Sequence, residues 1–254
     1  MEISDRTPLL SFKGVFKYYG AMAAVDGLSC DVQPGEILGI GGPNGAGKTT
    51  LFNAITGDFP PTTGRVRLFG EDVSELPTYE RIRRGLRRTY QISLLFQGLS
   101  VIDNIYLACR GVSIRRLSLR RPSPGSNSMQ AAETLLEAVH LTETRNALVS
   151  TLSYGQQRQL EIALALAGAP RLILLDEPAA GLSPSERNTL VEILKSLPDH
   201  ISYIIIEHDM DVALRVSESV TMMHNGRIFK EGTPEEIEND PEVQQLYLGN
   251  GNSS

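Results

Sequence analysis

An α/β fold built on a parallel sheet is predicted for this 254-residue chain by three observations. The run Gly42-Pro43-Asn44-Gly45-Ala46-Gly47-Lys48-Thr49 fits G-x-x-x-x-G-K-[ST] at every fixed position. An apolar strand-like stretch, 36–40, enters that run, and a helix-like stretch, 50–55, leaves it toward Gly57. Further along, continuous apolar runs alternate with helical periodicity, the pattern of βα units. A small antiparallel sheet and a helical insert are expected beside this core.

Residues 8–35 alternate apolar and polar positions up to the Pro34-Gly35 turn, which predicts short antiparallel strands. Tyr19, followed by Gly20, precedes the glycine-rich run; its ring either packs locally or stacks on a base. In the run itself, glycines let successive N–H groups face an anion, and the following helix adds its positive dipole end. Lys48 would reach the outer phosphates of a nucleotide, and Thr49 offers a hydroxyl to Mg²⁺, which prefers hard oxygen ligands.

Residues 65–70 read as a half-buried strand joining the antiparallel sheet. Residues 77–88 read as a basic helix-like stretch whose Arg81, Arg83, Arg84, Arg87 and Arg88 are spread around the turns rather than gathered on one face, which favours a solvated surface over a binding patch. Residues 93–149 look like an inserted helical subdomain. Its apolar helical patterns at 101–108 and 129–141 flank an Arg- and Ser-rich loop, 115–128, that reads as solvated or as a contact for anionic headgroups.

Ser153 opens a helix that runs to about residue 167, where its hydroxyl caps free backbone amides and the same geometry accepts a phosphate oxygen. The apolar run 172–175 ends in Asp176-Glu177, either an exposed acidic turn or a strand end aimed at a ligand. There Asp176 could hold Mg²⁺ through water and Glu177 could take a proton from an attacking water. Ser183-Pro184-Ser185-Glu186 is a capping box that launches a helix through Leu197. Residues 201–207 read as another buried strand, with His208 at its end either structural or a candidate for polar contact with a phosphate. Asn225-Gly226 closes a hairpin, Thr233-Pro234-Glu235-Glu236 is a second capping box, and Asp240-Pro241 starts the last helix.

Composition bounds the function. A net charge of −6 argues against a general nucleic-acid binder, and no apolar run approaches eighteen residues. The first residues do not form a signal peptide. Cys30 and Cys109 lack metal-ligand spacing and read as core thiols in a reducing compartment. No Lys sits in a guanine-reading Asn-Lys-x-Asp, which weighs against a GTPase switch.

With these pieces in order, the chain resembles the ATP-binding-cassette (ABC) ATPases over nearly its full length. Residues 42–49 match Walker A, Gln91 the Q-loop, 152–156 the signature sequence, 172–176 Walker B with Glu177 next, and His208 the switch histidine. The resemblance implies a P-loop NTPase cassette with a RecA-like parallel-sheet core, one ABC ATPase domain over 8–240 with 93–149 inserted, and a C-terminal helix and tail over 241–254. It implies that ATP and Mg²⁺ are bound: Tyr19 on adenine, the loop from Gly42 through Thr50 on the phosphates, and Thr49, Gln91 and Asp176 around the metal. Glu177, His208, Lys48 and Gln91 would be catalytic. Ser153, Gly155 and Gln156 would serve the nucleotide of a second cassette, identical or different, docked head to tail.

A finer resemblance is to branched-chain amino-acid importers, through Leu152-Ser153-Tyr154-Gly155-Gln156-Gln157-Arg158, Glu177-Pro178-Ala179-Ala180-Gly181-Leu182, Ile206-Glu207-His208-Asp209-Met210 and Tyr247-Leu248-Gly249. Urea and amide importers look similar at these positions. The implied partners are transmembrane permeases and, indirectly, a periplasmic or extracellular solute-binding protein, with the chain peripheral on the cytoplasmic face of the inner membrane. A soluble ABC ATPase acting on ribosomes or DNA is the rival class, but this chain has one motif set and no coiled-coil or zinc insertion. Tyr154 replaces the glycine of the commoner signature, and Ser183 stands where the D-loop usually carries Asp or Asn.

Overall fold

The computed structural model describes residues 7–89, 95–111, 127–208 and 210–249. Gln91, Asp209 and most of the Arg-rich loop, including Arg115, Arg116, Arg120 and Arg121, lie outside the described residues. Two sheets organise the described residues. The first is antiparallel, in the order β2 (Met22–Val32), β1 (Leu10–Tyr19), β4 (Thr63–Leu68), β5 (Glu71–Asp72). The second has the order β10 (Arg227–Gly232), β9 (Ser219–His224), β3 (Ile37–Gly41), β8 (Ser202–Ile206), β7 (Leu172–Asp176), β6 (Leu86–Arg88). Its strands run parallel from β9 through β6, and only β10 returns antiparallel.

The helices are α1 (Lys48–Thr56), α2 (Thr78–Arg83), α3 (Val101–Gly111), α4 (Asn127–Ala138), α5 (Tyr154–Leu166), α6 (Pro184–Lys195), α7 (Met210–Val216), α8 (Pro234–Glu238) and α9 (Pro241–Gly249). Side chains of a strand alternate between faces, and the core divides accordingly. Leu172, Leu174, Ile204 and Ile206 pack toward α1 and the antiparallel sheet, through Leu51, Phe52, Ile55, Phe12 and Leu10. Ile173, Leu175, Tyr203 and Ile205 face the other way, onto α5, α6 and α7, in a cluster that continues into α3 and α4. Strands buried on both faces are continuously apolar, which is why 172–175 and 203–206 carry no polar residue.

The basic stretch 77–88 departs from its sequence reading as a solvated helix. Only residues 78–83 are helical, and 86–88 form the edge strand β6, paired in parallel with β7. Arg81 is 0 % exposed. It donates to the carbonyls of Ala54 and Ile55, each at 2.7 Å, to Leu76 at 2.9 Å and to Ser74 at 3.1 Å. Its cation therefore closes the C-terminal end of α1, where carbonyls lack helical partners and the dipole is negative. The Arg88 side chain is also buried, in the ion pair described below. Cys30 departs from the core reading too, being half-buried on β2, while Cys109 is buried.

Candidate functional site: a phosphate loop at the ends of β3, β7 and β8

Three parallel strands end level with one another. Ile40 pairs with Ile206, and Ile206 pairs with Asp176, so the loop after β3, the pair Asp176-Glu177 and the segment after β8 share one edge of the sheet. Ligands of open α/β sheets bind at this carboxyl edge. A cleft of about 450 Å³ opens there, lined by the loop from Asn44 to Thr50 and by Tyr19, Met22, Ala23, Ala24, Glu177, Asn225 and Gly226.

The loop keeps its shape because two of its glycines admit no side chain. A Cβ on Gly42 would lie 2.2 Å from the Met223 carbonyl, and one on Gly47 would lie 2.3 Å from the Ala24 carbonyl; both residues have positive φ. Gly226, in the β9–β10 turn, donates to the Ala46 carbonyl at 3.0 Å and accepts from Asp26 at 2.8 Å, bracing the loop from outside. Lys48 is 6 % exposed, and its ammonium donates to the carbonyls of Gly42 at 2.5 Å and Pro43 at 3.1 Å. Burial pulls its pKa below the ordinary value, opposed by the nearby carboxylates of Glu177, Asp176 and Glu207. A cation held by carbonyls at the N-terminus of α1 is placed to receive an anion.

Asp176 is 2 % exposed, so the alternative of an exposed acidic turn does not hold. Its Oδ2 accepts from Arg88 at 2.6 Å, and its backbone N–H donates to the Thr89 hydroxyl at 3.2 Å. The other guanidinium nitrogen of Arg88 donates to Asn53 at 2.6 Å and Asp58 at 2.9 Å, tying the last turn of α1 to the end of β7. Asp176 Oδ1 is buried with no hydrogen-bond partner, an acceptor left open to a metal-bound water. With the Thr49 hydroxyl it offers the hard oxygen donors that Mg²⁺ takes. Glu177 holds φ at +48°, a conformation that a non-glycine residue adopts at a cost, and its N–H donates to the Ile206 carbonyl at 2.9 Å.

Not every expected residue gathers here. Tyr19, 48 % exposed, lines the cleft with its ring edge-on to that of Phe59. His208 stands exposed after β8 and is not among the residues lining the cleft. Ser153, Gly155 and Gln156 line a separate cavity of about 110 Å³ at the start of α5. Ser153 caps that helix in a reciprocal box with Gln156.

Sequence reasoning missed Arg88, and it left three other residues without a place in the site. Glu207 is 0 % exposed and accepts from the Ala179 amide at 2.9 Å. Asn225 and Gly226 mark only a hairpin turn in the sequence. No local pattern marks Arg88, whereas a carboxylate ending an apolar strand, as Glu207 does, is the signal already used for Asp176.

Comparison with known proteins agrees with this geometry. A family model described as ABC transporter matches residues 25–180. The high-affinity branched-chain amino acid transport ATP-binding protein BraF of Pseudomonas aeruginosa is 37% identical over 250 residues, covering 95% of this chain and 98% of its own length. The ADP conformation of MJ1267, an ATP-binding cassette of an ABC transporter, superposes with a TM-score of 0.82 at 31% identity, covering 96% of this chain and 99% of that one. A dimeric structure of MJ0796, a bacterial ABC transporter cassette, superposes with a TM-score of 0.75 at 27% identity over 89% of this chain and 98% of that one. The match spans the loop and both carboxylates, and the chain belongs to the ABC transporter family.

Proposed function

We propose that this chain is the ATP-hydrolysing subunit of an importer for branched-chain amino acids. The observation that supports the chemistry is the meeting, at one sheet edge, of the braced phosphate loop with Asp176 and the strained Glu177. In this reading Lys48 and the loop amides from Gly42 to Thr50 bind the β- and γ-phosphates, and Tyr19 covers the base. Thr49 and Asp176, with Gln91, hold Mg²⁺, which when bound draws charge off the phosphate oxygens. Glu177 accepts the proton of the attacking water, and His208 contacts the γ-phosphate. Positioning and electrostatic stabilisation supply most of the rate in such phosphoryl transfers.

The separate cavity at Ser153 and Gly155 supports a two-cassette arrangement, since it lies apart from this chain's own cleft and would serve a partner's nucleotide. Among the described residues no helix is long and apolar enough to cross a membrane. Transport therefore requires permease subunits, against which the chain sits as a peripheral protein on the cytoplasmic face, with a solute-binding protein delivering cargo. Likeness to BraF, whose name carries the substrate class, supports branched-chain amino acids. The test is uptake of labelled leucine, isoleucine and valine, against urea and short amides, in the native host with Lys48→Ala in place of the wild type. Loss of uptake confined to the branched-chain amino acids is expected, and loss confined to urea or amides would contradict the substrate assignment.

A further inference from the structure

Two helix N-termini meet at one carboxylate. Glu186, in the first turn of α6, accepts through Oε2 from the Ser183 amide at 2.9 Å and from the Ser183 hydroxyl at 2.7 Å. Its Oε1 accepts from the Gly155 amide of α5 at 3.2 Å. In that first turn, the Gln156 amide goes to the Ser153 hydroxyl and the Gln157 amide to the Ser153 carbonyl, so the Gly155 amide is bonded from outside its own helix. The approach depends on glycine, because a Cβ at position 155 would lie 2.3 Å from Glu186 Oε1. Glu186 borders the same small cavity as Ser153 and Gly155. Arg158, which also borders it, is committed to Glu161 at 2.7 Å and to the Tyr154 hydroxyl at 2.7 Å.

We propose that Glu186 is a built-in anion that competes with an incoming phosphate for the Gly155 amide and links the outcome to the segment around Ser183. This rests on the reading that the N-terminus of α5 faces a nucleotide held by a second cassette. A phosphate arriving there needs the donor that Glu186 occupies and brings negative charge beside a carboxylate. If the carboxylate stays, the two anions repel; if it withdraws, it gives up both bonds to Ser183, the residue that caps α6 directly after Gly181 and Leu182. In either case its charge opposes closure. Ser183, unlike Asp, adds no second negative charge, so the bridge from α5 to α6 carries a single carboxylate.

The test is steady-state ATP hydrolysis by the chain purified in complex with its permeases. Glu186→Gln keeps the side chain's size and removes its charge. The half-saturating MgATP concentration is expected to fall about threefold, the scale of an exposed charge–charge term. Binding of ADP, which has no γ-phosphate, is expected to stay unchanged. A half-saturation that is unchanged or raised overturns the proposal. Glu186→Asp keeps the charge and is expected to stay near the parent; a fall matching that of Glu186→Gln also overturns it. Should Glu186→Gln fail to fold, Glu186→Ala makes the same distinction, since loss of a purely structural cap raises half-saturation and loss of a competitor lowers it. An unsubstituted complex that neither binds nor hydrolyses ATP contradicts the nucleotide assignment itself, whereas an active complex insensitive to the substitution contradicts only the role of Glu186.

Discussion

Replacing Arg88 by Met tests whether its guanidinium, bonded to Asp176 on one side and to Asn53 and Asp58 on the other, holds the end of α1 to the strand that carries Asp176. The side chains of Arg88 and Asp176 are 8% and 1% exposed and meet at 2.6 Å. Removing one member of such a pair leaves a buried charge uncompensated, which costs about 3–5 kcal/mol. The second ion pair, to Asp58 with its side chain 33% exposed, adds less than about 1 kcal/mol. The expected loss is therefore about 4 kcal/mol, or roughly 8–16 °C in Tm for a domain of this size. The chain has no Trp, so unfolding in guanidinium is best followed by circular dichroism. In the same unfolding assay Asp176→Asn is then combined with Arg88→Met. The double variant is expected to lose about 2–3 kcal/mol less than the sum of the two single losses. A single-variant loss below about 1 kcal/mol, or additivity within about 0.5 kcal/mol, would refute the claim that this buried pair holds Arg88 of β6 to the end of β7.

Two further outcomes follow from neighbouring groups. Arg81→Met strands carbonyls at the end of α1 that the guanidinium now satisfies, and a loss of about 3 kcal/mol is expected in the same unfolding assay; Arg83→Met, on the exposed side of α2, serves as the control and should change stability by less than about 0.5 kcal/mol. The Glu186 carboxyl is held below its usual 4.5 by the Ser183 amide, the Ser183 hydroxyl and the Gly155 amide. A depressed folded-state pKa gives stability that is present above 4.5 and lost as pH falls through the folded value. The melting advantage of the parent over Glu186→Gln should be full near neutrality and shrink as pH drops below 4.5; an advantage that grows in acid would reverse the sign.

How much of this was legible in the sequence depends on where the deciding interaction lies. The Ser183 and Thr233 capping boxes and the Asn225-Gly226 turn were readable because their hydrogen bonds close within a few residues, and each is present; the glycine-rich loop was readable from its spacing, although Gly226 braces it from the β9–β10 turn. Three-residue β6 was not readable. Leu86-Arg87-Arg88 becomes a strand because β7 offers its backbone edge, and Arg88 is buried because Asp176, 88 positions away, supplies the countercharge. Arg81 was misread for a related reason: beside the nearby carbonyls of Ser74 and Leu76, it takes those of Ala54 and Ile55, on a helix more than twenty residues earlier. Glu186 was half legible. Its bonds to Ser183 are the capping box itself, while its other oxygen reaches Gly155 across the fold, 31 positions away.

The most direct measurement of the central claim compares ATP binding with ATP turnover in the purified complex carrying Glu177→Gln. Nucleotide titration is expected to give an affinity within about twofold of the parent, because the loop and Lys48 are untouched. Hydrolysis is expected to fall by at least about 100-fold, the usual cost of losing a positioned base. Turnover at the parent rate would contradict the assignment of Glu177 and of the sheet edge as the site of reaction.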